Sequence, residues 1–357
     1  MERSGDRPQI LILAVHPPSV AATRLRALQY VPALEAAGFQ VEIRTFLGEA
    51  DLSDWFGPRT SRRVRAAIRG LSRIPASVRA VQRADVVLVQ REAMPFGPPL
   101  LEWLAGRSAK LVWDLDDAVW VPHESPTAGR VPQWVRATGD KFHTICRLAD
   151  EVWAGSEVLA DWCRERNQRV RVIPTVVAVP TKRPAQPSGR IAGWIGSHST
   201  VGFLEAVLPH LAHVSDLEVV VVGGAPRVPP QLQVQIAPWS EAEENRALSR
   251  MRVGLYPVDR AHPLADGKCG FKAILYMSRG IPPVVTPTPT NAAIVRAGID
   301  GLHVDDVAGW ASTVEALLDD PERCRQLGDA AHRRALEEFS LAKWAPMVVG
   351  TLRGLLP

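Results

Sequence analysis

The sequence lacks the features of several common protein classes. No apolar run approaches the roughly 20 residues that span a bilayer, and nothing before the strand-like run Ile10–Val15 resembles a secretory signal. We therefore expect a cytoplasmic protein without a transmembrane segment, for which peripheral membrane contact stays open. The four cysteines are far apart and form no Cys-x-x-Cys pair. This indicates free thiols rather than a structural zinc site or a disulfide framework.

Several catalytic and binding motifs are missing as well. The sequence has no Gly-x-Ser-x-Gly, His-Glu-x-x-His or P-loop motif, which argues against hydrolase, zincin and P-loop chemistry. The glycine-rich strand ends Gly193–Thr200 and Val221–Pro226 do not complete Gly-x-Gly-x-x-Gly, so a dehydrogenase is not indicated. The net charge of +4 fits an anionic ligand, but no RNA-binding or helix-turn-helix pattern accompanies it. No nucleic-acid partner is expected.

What is present is a repeated α/β pattern. A chain of 357 residues suits two domains, and short apolar runs alternating with amphipathic segments predict parallel strands covered by helices. The predicted strands are Ile10–Val15, Val41–Phe46, Val86–Val89, Leu111–Trp113 and Val152–Ala154, then Ile191–Ile195, Leu217–Val222, Val253–Tyr256 and Pro283–Val285. The predicted helices include Thr23–Ala37, Glu157–Arg166, Phe203–Ala212, Glu241–Arg250, Ala308–Leu318, Pro321–Glu338 and Leu341–Leu355. The Pro-rich segment Pro174–Gly189 is predicted to be a linker between two Rossmann-like, doubly wound domains, residues 1–180 and 190–339.

The stretch Asp266–Val285 has the composition of a phosphate-binding site. Gly267 and Gly270 permit a tight turn, and Lys268 and Lys272 are spaced one helical turn apart. A helix that begins here adds a partial positive charge at its N-terminus, and Gly280 is expected to end it. The alternative is an ordinary helix with two solvated lysines.

A second anion-binding turn is predicted where the strand Ile191–Ile195 ends. It consists of Gly196, Ser197, His198, Ser199 and Thr200, with Ser199 or Thr200 as the N-cap of the next helix and free amides beside it. A plain capped turn is the alternative, and His198 by itself is as well explained by solvent exposure.

These two segments resemble those of family-4 (group 1) glycosyltransferases with the GT-B fold. The shared features are a glycine-rich turn at Gly270-Phe271, a helix ending Tyr-Met-x-x-Gly280, a Pro-Val-Val strand and the turn Trp-Ile-Gly-Ser-x-x-Thr200. The resemblance implies two domains facing a cleft, a C-terminal helix (340–357) that returns to the first domain, and a nucleotide-diphosphate sugar as donor, with no other cofactor and no metal. Two glutamates that usually frame the signature are replaced by Gly267 and Leu275; the second binds the nucleotide ribose in the family.

Polar side chains are predicted at strand ends of the first domain too. Asp114, Asp116 and Asp117 follow the run Leu111–Trp113, at the edge where parallel sheets bind ligands. Three explanations stay open, namely a divalent-metal site, a sugar-hydroxyl or acceptor site, and a helix cap with an interdomain charge pair. We favour the acceptor site, since GT-B enzymes generally need no metal.

Three further positions share that edge. His16 ends the first strand, and the segment from Ser19 to Arg26 resembles the Thr-Arg-x-Arg opening of the same glycosyltransferase branch, which makes Arg24 and, less so, Arg26 candidate ligand contacts. Arg91 begins a segment that resembles the Gln-Arg-Glu turn near the acceptor in that branch. The alternative for Arg24 and Arg26 is an ordinary surface helix with arginines, and for Arg91 it is a loop with exposed charges.

The function implied is transfer of a sugar, of the hexosyltransferase type, from a nucleotide-diphosphate donor to a small-molecule or glycan hydroxyl, with retention. Lys268, Lys272, Asp116 and Asp117 are the candidate catalytic residues. Gly196, Ser197, His198, Ser199, Thr200, Gly270, Phe271, Arg24 and His16 are the candidate donor-binding residues. A sugar-nucleotide epimerase and a non-catalytic nucleotide-sugar binder are the alternatives, and a UDP, GDP or dTDP donor is left open.

Overall fold

The computed structural model describes residues 7–121 and 138–356, which form two compact units. The first unit takes the described residues up to Thr175 together with those from Trp344 onwards, and the second runs from Val176 to Lys343. The sequence analysis predicted that the first domain ends at residue 180, that the second begins at residue 190, and that the helix returning to the first domain begins at residue 340. Residues 174–189 carry no helix or extended strand, only an isolated bridge from Val177 to Ser340. Within the described ranges no helix is both long and apolar enough to cross a bilayer.

The first unit contains a six-stranded sheet whose neighbouring strands are all parallel. The strands are β1 Gln9–Ala14, β2 Gln40–Thr45, β3 Val86–Gln90, β4 Lys110–Leu115, β5 Glu151–Ala154 and β6 Val170–Val172, in the spatial order β2-β1-β3-β4-β5-β6. Every residue of β3 is buried, as expected of a central strand in a parallel sheet covered on both faces. The five strands predicted here are confirmed.

Helices cover this sheet, and one of them differs from the prediction. They are α1 Ala21–Arg26, α2 Val31–Ala36, α3 Leu52–Phe56, α4 Thr60–Arg83, α5 Leu100–Ser108, α6 Thr138–Leu148 and α7 Glu157–Arg164. The single helix predicted over Thr23–Ala37 is wrong, because α1 ends at Arg26, a 3-10 turn follows at Leu28–Tyr30, and α2 begins at Val31. Pro32 fits the break, because it stands in the first turn of α2, where its missing N–H removes no hydrogen bond of the helix.

The second unit repeats the architecture. Its strands are β7 Ile191–Ile195, β8 Glu218–Val222, β9 Gln233–Ala237, β10 Val253–Tyr256, β11 Pro283–Val285 and β12 Leu302–His303, all parallel in the order β12-β11-β10-β7-β8-β9. Its helices are α8 Val201–Leu211, α9 Glu241–Arg250, α10 Phe271–Ser278, α11 Pro289–Ile294, α12 Gly309–Asp319 and α13 Pro321–Glu338, with α14 Leu341–Gly354 ending the described chain.

Alternate residues of the second sheet enter two different cores. Val219 and Val221 of β8 pack in one buried cluster with Trp194, whereas Val220 and Val222 pack in the other. Side chains of a strand point alternately to its two faces, so both faces of the sheet are covered at β8. Ligands are expected at the edge where the strands end.

Candidate functional site

The glycine turn before α10 has the predicted backbone geometry. Gly270 lies in the left-handed region at φ 64°, directly before Phe271, and a β-carbon there would collide with Ile294. At the other end Gly280, also left-handed at φ 68°, donates its N–H to the carbonyl of Met277. Only glycine accepts both the φ angle and the crowding without strain. The predicted end of this helix at Gly280 is confirmed.

The two lysines do not share a helix face, however. Because α10 begins at Phe271, Lys272 lies in its first turn while Lys268 lies in the loop before Gly270. The left-handed residue between them breaks the 3.6-residue period on which their spacing was interpreted. Both side chains are half-buried, and the prediction of one basic helix face is wrong.

Lys272 is held against two aromatic rings at the carboxyl edge of the second sheet. Its Nζ lies 4.9 Å from the ring centre of Tyr256 and 5.4 Å from that of Trp194. Both rings are buried, and each attracts an ammonium group through its quadrupole. The two rings therefore fix where this positive charge stands.

The second predicted turn reaches the same place. The Cε atom of Lys272 lies 2.8 Å from the position that a β-carbon on Gly196 would take, and the Trp194 ring is closer still. Gly196 donates its N–H to the carbonyl of Val222 at 3.0 Å. The structure thus brings together the glycine of one predicted anion-binding turn and the lysine of the other.

The remaining residues of that turn are arranged differently from the prediction. Thr200 occupies the N-cap position of α8, but its hydroxyl donates to the carbonyl of Ser197 at 3.3 Å and caps no amide. The hydroxyls of Ser197 and Ser199 are 2.7 Å apart. The expected side-chain cap is therefore wrong, because the side chain at the N-cap position makes no hydrogen bond to the first turn of α8. Ser197, His198 and Ser199 are exposed.

Tyr276 is a supporting residue that the sequence interpretation did not single out. Its hydroxyl accepts the N–H of Ile195 at 3.1 Å and donates to the carbonyl of Leu255 at 3.2 Å. It thereby ties α10 to the ends of β7 and β10, one residue before Gly196 and Tyr256. Burial raises the pKa of Tyr276 far above its usual value, so the hydroxyl stays neutral and keeps both hydrogen bonds. The Tyr-Met pair in the sequence of this helix was the signal that could have identified Tyr276 in advance.

A pocket of about 570 Å³ adjoins the turn on the α8 side. Ser199 and Phe203 line it together with the loop after β10, where the His262 ring meets Phe203 edge-on at 5.3 Å. Arg260 and Asp305, 2.5 Å apart, also line it. A cavity of this size with aromatic and charged walls suits a ligand of several rings.

The strand ends of the first unit gather a separate polar cluster. Arg91, after β3, makes a bidentate pair with Asp116, after β4, at 2.6 and 2.9 Å. Burial acts to raise the pKa of Asp116, but Arg91 outweighs it and the pKa lies below its usual value. Burial and then Arg91 lower the pKa of His16 to about 4. The cluster therefore holds a neutral imidazole beside an ion pair at neutral pH.

Arg91 is also strained. It lies at φ 60°, in the left-handed region that residues other than glycine seldom adopt. Its N–H donates to the carbonyl of Asp114 at 2.7 Å, and its own carbonyl accepts the indole N–H of Trp113 at 2.7 Å. Such strain persists where neighbours over-determine the conformation, and it concentrates at functional sites.

Asp114 has a structural role instead. It is fully buried and accepts two hydrogen bonds from Arg26, at 2.5 and 3.1 Å. Arg26 also donates to the carbonyl of Ile173 at 2.8 Å, so the pair connects α1, β4 and the segment after β6. The prediction of Arg26 as a ligand contact is wrong, because only 2% of its side chain is exposed.

The carboxylate cluster therefore divides into residues with different environments. Both arginine partners belong to the same unit as the aspartates. Asp117 is half-buried, 3.7 Å from Arg91. Arg24 donates to the carbonyl of Ser19 at 3.4 Å. In the described ranges no three His, Cys, Asp or Glu side chains are grouped to hold a metal ion, and all four cysteines are free thiols, as predicted.

Comparison with known proteins supports the fold over the whole chain and the family over part of it. Residues 190–320 match the family described as glycosyl transferases group 1. Sucrose-phosphate synthase from Thermosynechococcus elongatus is similar, with a TM-score of 0.72 and 16% identity over 98% of this chain and 99% of that one. HepE from Anabaena, solved with UDP and glucose, is similar with a TM-score of 0.69 and 13% identity, over 98% of this chain and 100% of that one. A glycosyltransferase from Rickettsia africae is similar with a TM-score of 0.67 and 14% identity, over 98% of this chain and 99% of that one. No curated protein sequence matches significantly.

The resemblance to group 1 glycosyltransferases and the GT-B fold of two α/β units are thereby confirmed.

Proposed function

We propose that this glycosyltransferase transfers a hexose from a nucleoside-diphosphate donor, bound by its second unit, to an acceptor hydroxyl bound mainly by its first. The observation that carries this proposal is the position of Lys272, whose ammonium group is fixed by Trp194 and Tyr256 directly beside Gly196. A fixed cation and uncapped helix amides at the carboxyl edge of a parallel sheet suit a diphosphate.

Departure of the nucleoside diphosphate is the step that these groups assist. Negative charge develops on the leaving oxygen, and we propose that Lys272, Lys268 and the first-turn amides of α8 and α10 stabilise it. Because the charge of a divalent ion would be supplied by these groups, the proposed reaction needs no metal. Retention of configuration at the sugar follows from the family resemblance and is part of the proposal.

The 570 Å³ pocket is proposed to take one end of the donor. Ser199 belongs both to the turn beside Lys272 and to the wall of this pocket. A diphosphate at Gly196 would therefore continue towards Phe203 and Asp259. Gly270 and Phe271 act through the backbone, by setting the direction of the first turn of α10.

The first unit is proposed to receive the acceptor at the cluster of His16, Asp116 and Asp117. The neutral ring of His16 can accept a proton from a hydroxyl or donate to one, since its pKa of about 4 keeps it uncharged at neutral pH. Asp117 makes fewer contacts to Arg91 than Asp116 does. Its carboxylate is therefore the more available of the two to accept a hydrogen bond from a sugar hydroxyl. Arg24, in the same unit, is proposed as a further contact to the bound ligand.

The test is a panel of UDP-, GDP- and dTDP-sugars, analysed by mass spectrometry with and without candidate acceptors. UDP-glucose comes first, because HepE was solved with UDP and glucose. Sugar transfer only when acceptor is present supports the proposal. Conversion of donor without acceptor would identify an epimerase, and tight binding without any turnover would identify a nucleotide-sugar binder.

A further inference from the structure

A second cavity, of about 280 Å³, lies at the opposite edge of the second sheet. Met251 and Arg252 precede β10, and Arg279 to Ile281 precede β11, so the cavity is at the amino ends of these strands. Residues 183–187 close one side. The proposed donor site is at the carboxyl ends, which makes this cavity a separate place in the same unit.

The lining of this cavity carries one sign of charge. Arg183, Arg252 and Arg279 contribute to it and no carboxylate does; we call this the arginine pocket. Arg183 pairs with Asp329 at 3.0 Å and donates to the carbonyl of Gly280 at 3.0 Å. Arg279 donates to Asn245 at 2.5 Å. Arg252 forms no ion pair within the part of the chain that is described.

Arg252 is the residue that points to a ligand. It is only 8% exposed, and its Nε and Nη2 atoms have no hydrogen-bond acceptor among the described residues. Its Nη1 reaches the carbonyl of Gly189 only at 3.4 Å. Arg183 Nε and Gln186 Nε2, from the same lining, are likewise unsatisfied. A buried guanidinium without an anion is costly, and such groups are ordinarily paired.

Neighbouring groups do not compensate this charge. The Cys324 thiol donates to the carbonyl of Arg252 at 3.4 Å, and burial raises the pKa of that thiol, so it supplies no thiolate. The C-terminal ends of α9 and α10 lie close by and favour positive charge. They offer no acceptor to the unsatisfied Arg252 atoms.

We propose that the arginine pocket binds the phosphate monoester of a small organic molecule. Guanidinium groups present planar forks of donors that match phosphate oxygens, and a dianion matches the excess of positive charge. The cavity exceeds the size of inorganic phosphate, and its apolar walls Leu248, Met251 and Ile281 suit the organic part of the ligand. The site is independent of the donor and of sugar transfer.

Titration calorimetry with inorganic phosphate, glycerol 3-phosphate and glucose 6-phosphate tests this site. We expect wild-type protein to bind a monoester more tightly than inorganic phosphate, and to ignore glucose and glycerol. Arg252→Met keeps the length of the side chain and removes the donors, and it should weaken monoester binding by roughly 30-fold or more. Arg164→Met removes one charge from the surface of the first unit, and should leave monoester binding unchanged.

Two further variants separate outcomes. Arg279→Met, at a less buried position, should also weaken the monoester if Arg252→Met does not fold. Lys272→Met should weaken UDP binding and leave monoester binding intact. Arg252→Met should weaken monoester binding and leave UDP binding intact. Failure of the donor proposal can therefore be told apart from failure of the arginine-pocket proposal. Absence of monoester binding at about 10 mM, binding that both arginine variants retain, or tighter binding of acetate than of the monoesters would overturn the inference.

Discussion

Removing the charge of Lys272 is the most direct test of the donor site. Lys272→Met keeps the aliphatic stem beside Gly196 and the Trp194 ring but removes the ammonium group that lies 4.9 and 5.4 Å from two ring centres. Loss of a preorganised donor to a developing negative charge costs about 3 to 4 kcal/mol, or 10² to 10³ in turnover. Loss of the cation–π contacts costs about 1 kcal/mol of folding stability at most.

The expected loss of turnover is much larger than the expected loss of folding stability, so the two effects can be told apart. Release of UDP from UDP-glucose, followed in a coupled assay, should fall by about 10² or more, while the unfolding midpoint in urea changes little. Lys182→Ala is the control, since Lys182 is an exposed residue of the second unit in a stretch without helix or strand. If Lys272→Met turns over donor within about threefold of wild type, the ammonium group contributes less than about 0.7 kcal/mol to the transition state. The electrostatic role assigned to Lys272 would then be refuted.

Three other perturbations have expected outcomes. Gly196→Ala places a methyl group 2.8 Å from the Lys272 Cε atom and should lower stability by about 1 to 3 kcal/mol and weaken UDP binding in calorimetry. Gly350→Ala, in α14 with nothing within 4 Å, should be neutral or stabilising. Asp114→Asn strips the buried guanidinium of its anion and should cost about 3 to 5 kcal/mol in urea unfolding; a cost below about 1 kcal/mol would contradict the pairing. His16, with a folded pKa of about 4 against 6.5 when unfolded, should remain neutral at pH 5.5 in nitrogen-detected NMR. Because the unfolded ring binds a proton first, stability should fall as pH drops from 6.5 towards 4, less so in His16→Phe.

The fold was largely predictable from local pattern because most residues of the central strands are buried. Nine apolar runs predicted nine strands, and each lies where a strand is found. The three that were missed, β6, β9 and β12, lie at or next to sheet edges. β9 is an example: Gln233 and Gln235 alternate with half-buried or exposed apolar residues, so its sequence carries no continuous apolar run.

The candidate site was predictable where one residue determines the backbone and not where a side chain chooses among partners. Gly270 and Gly280 have the left-handed conformations that the glycine positions indicated. Arg24 and Arg26, two residues apart, have opposite environments: one is half-buried at the surface and the other is sealed against Asp114. That difference depends on β4, nearly ninety positions away, and no local pattern contains it.

Leu275 separates the proposed contacts to the donor ribose from the proposed contacts to its diphosphate. In the family a glutamate at this position binds the ribose, whereas here Leu275 is 7% exposed and packs in a core cluster with Ile274 and Tyr276. A carboxylate in that cluster would be desolvated without a partner. The diphosphate contacts proposed above come from Lys272 and Gly196, and Tyr276 ties α10 to the ends of β7 and β10 beside them. We therefore propose that this protein recognises the ribose and the phosphates of the donor through separate residues. Competition between UDP and dTDP tests this, and we expect the two nucleotides to bind with similar affinity. A strong preference for UDP would show that a residue other than Leu275 binds the ribose.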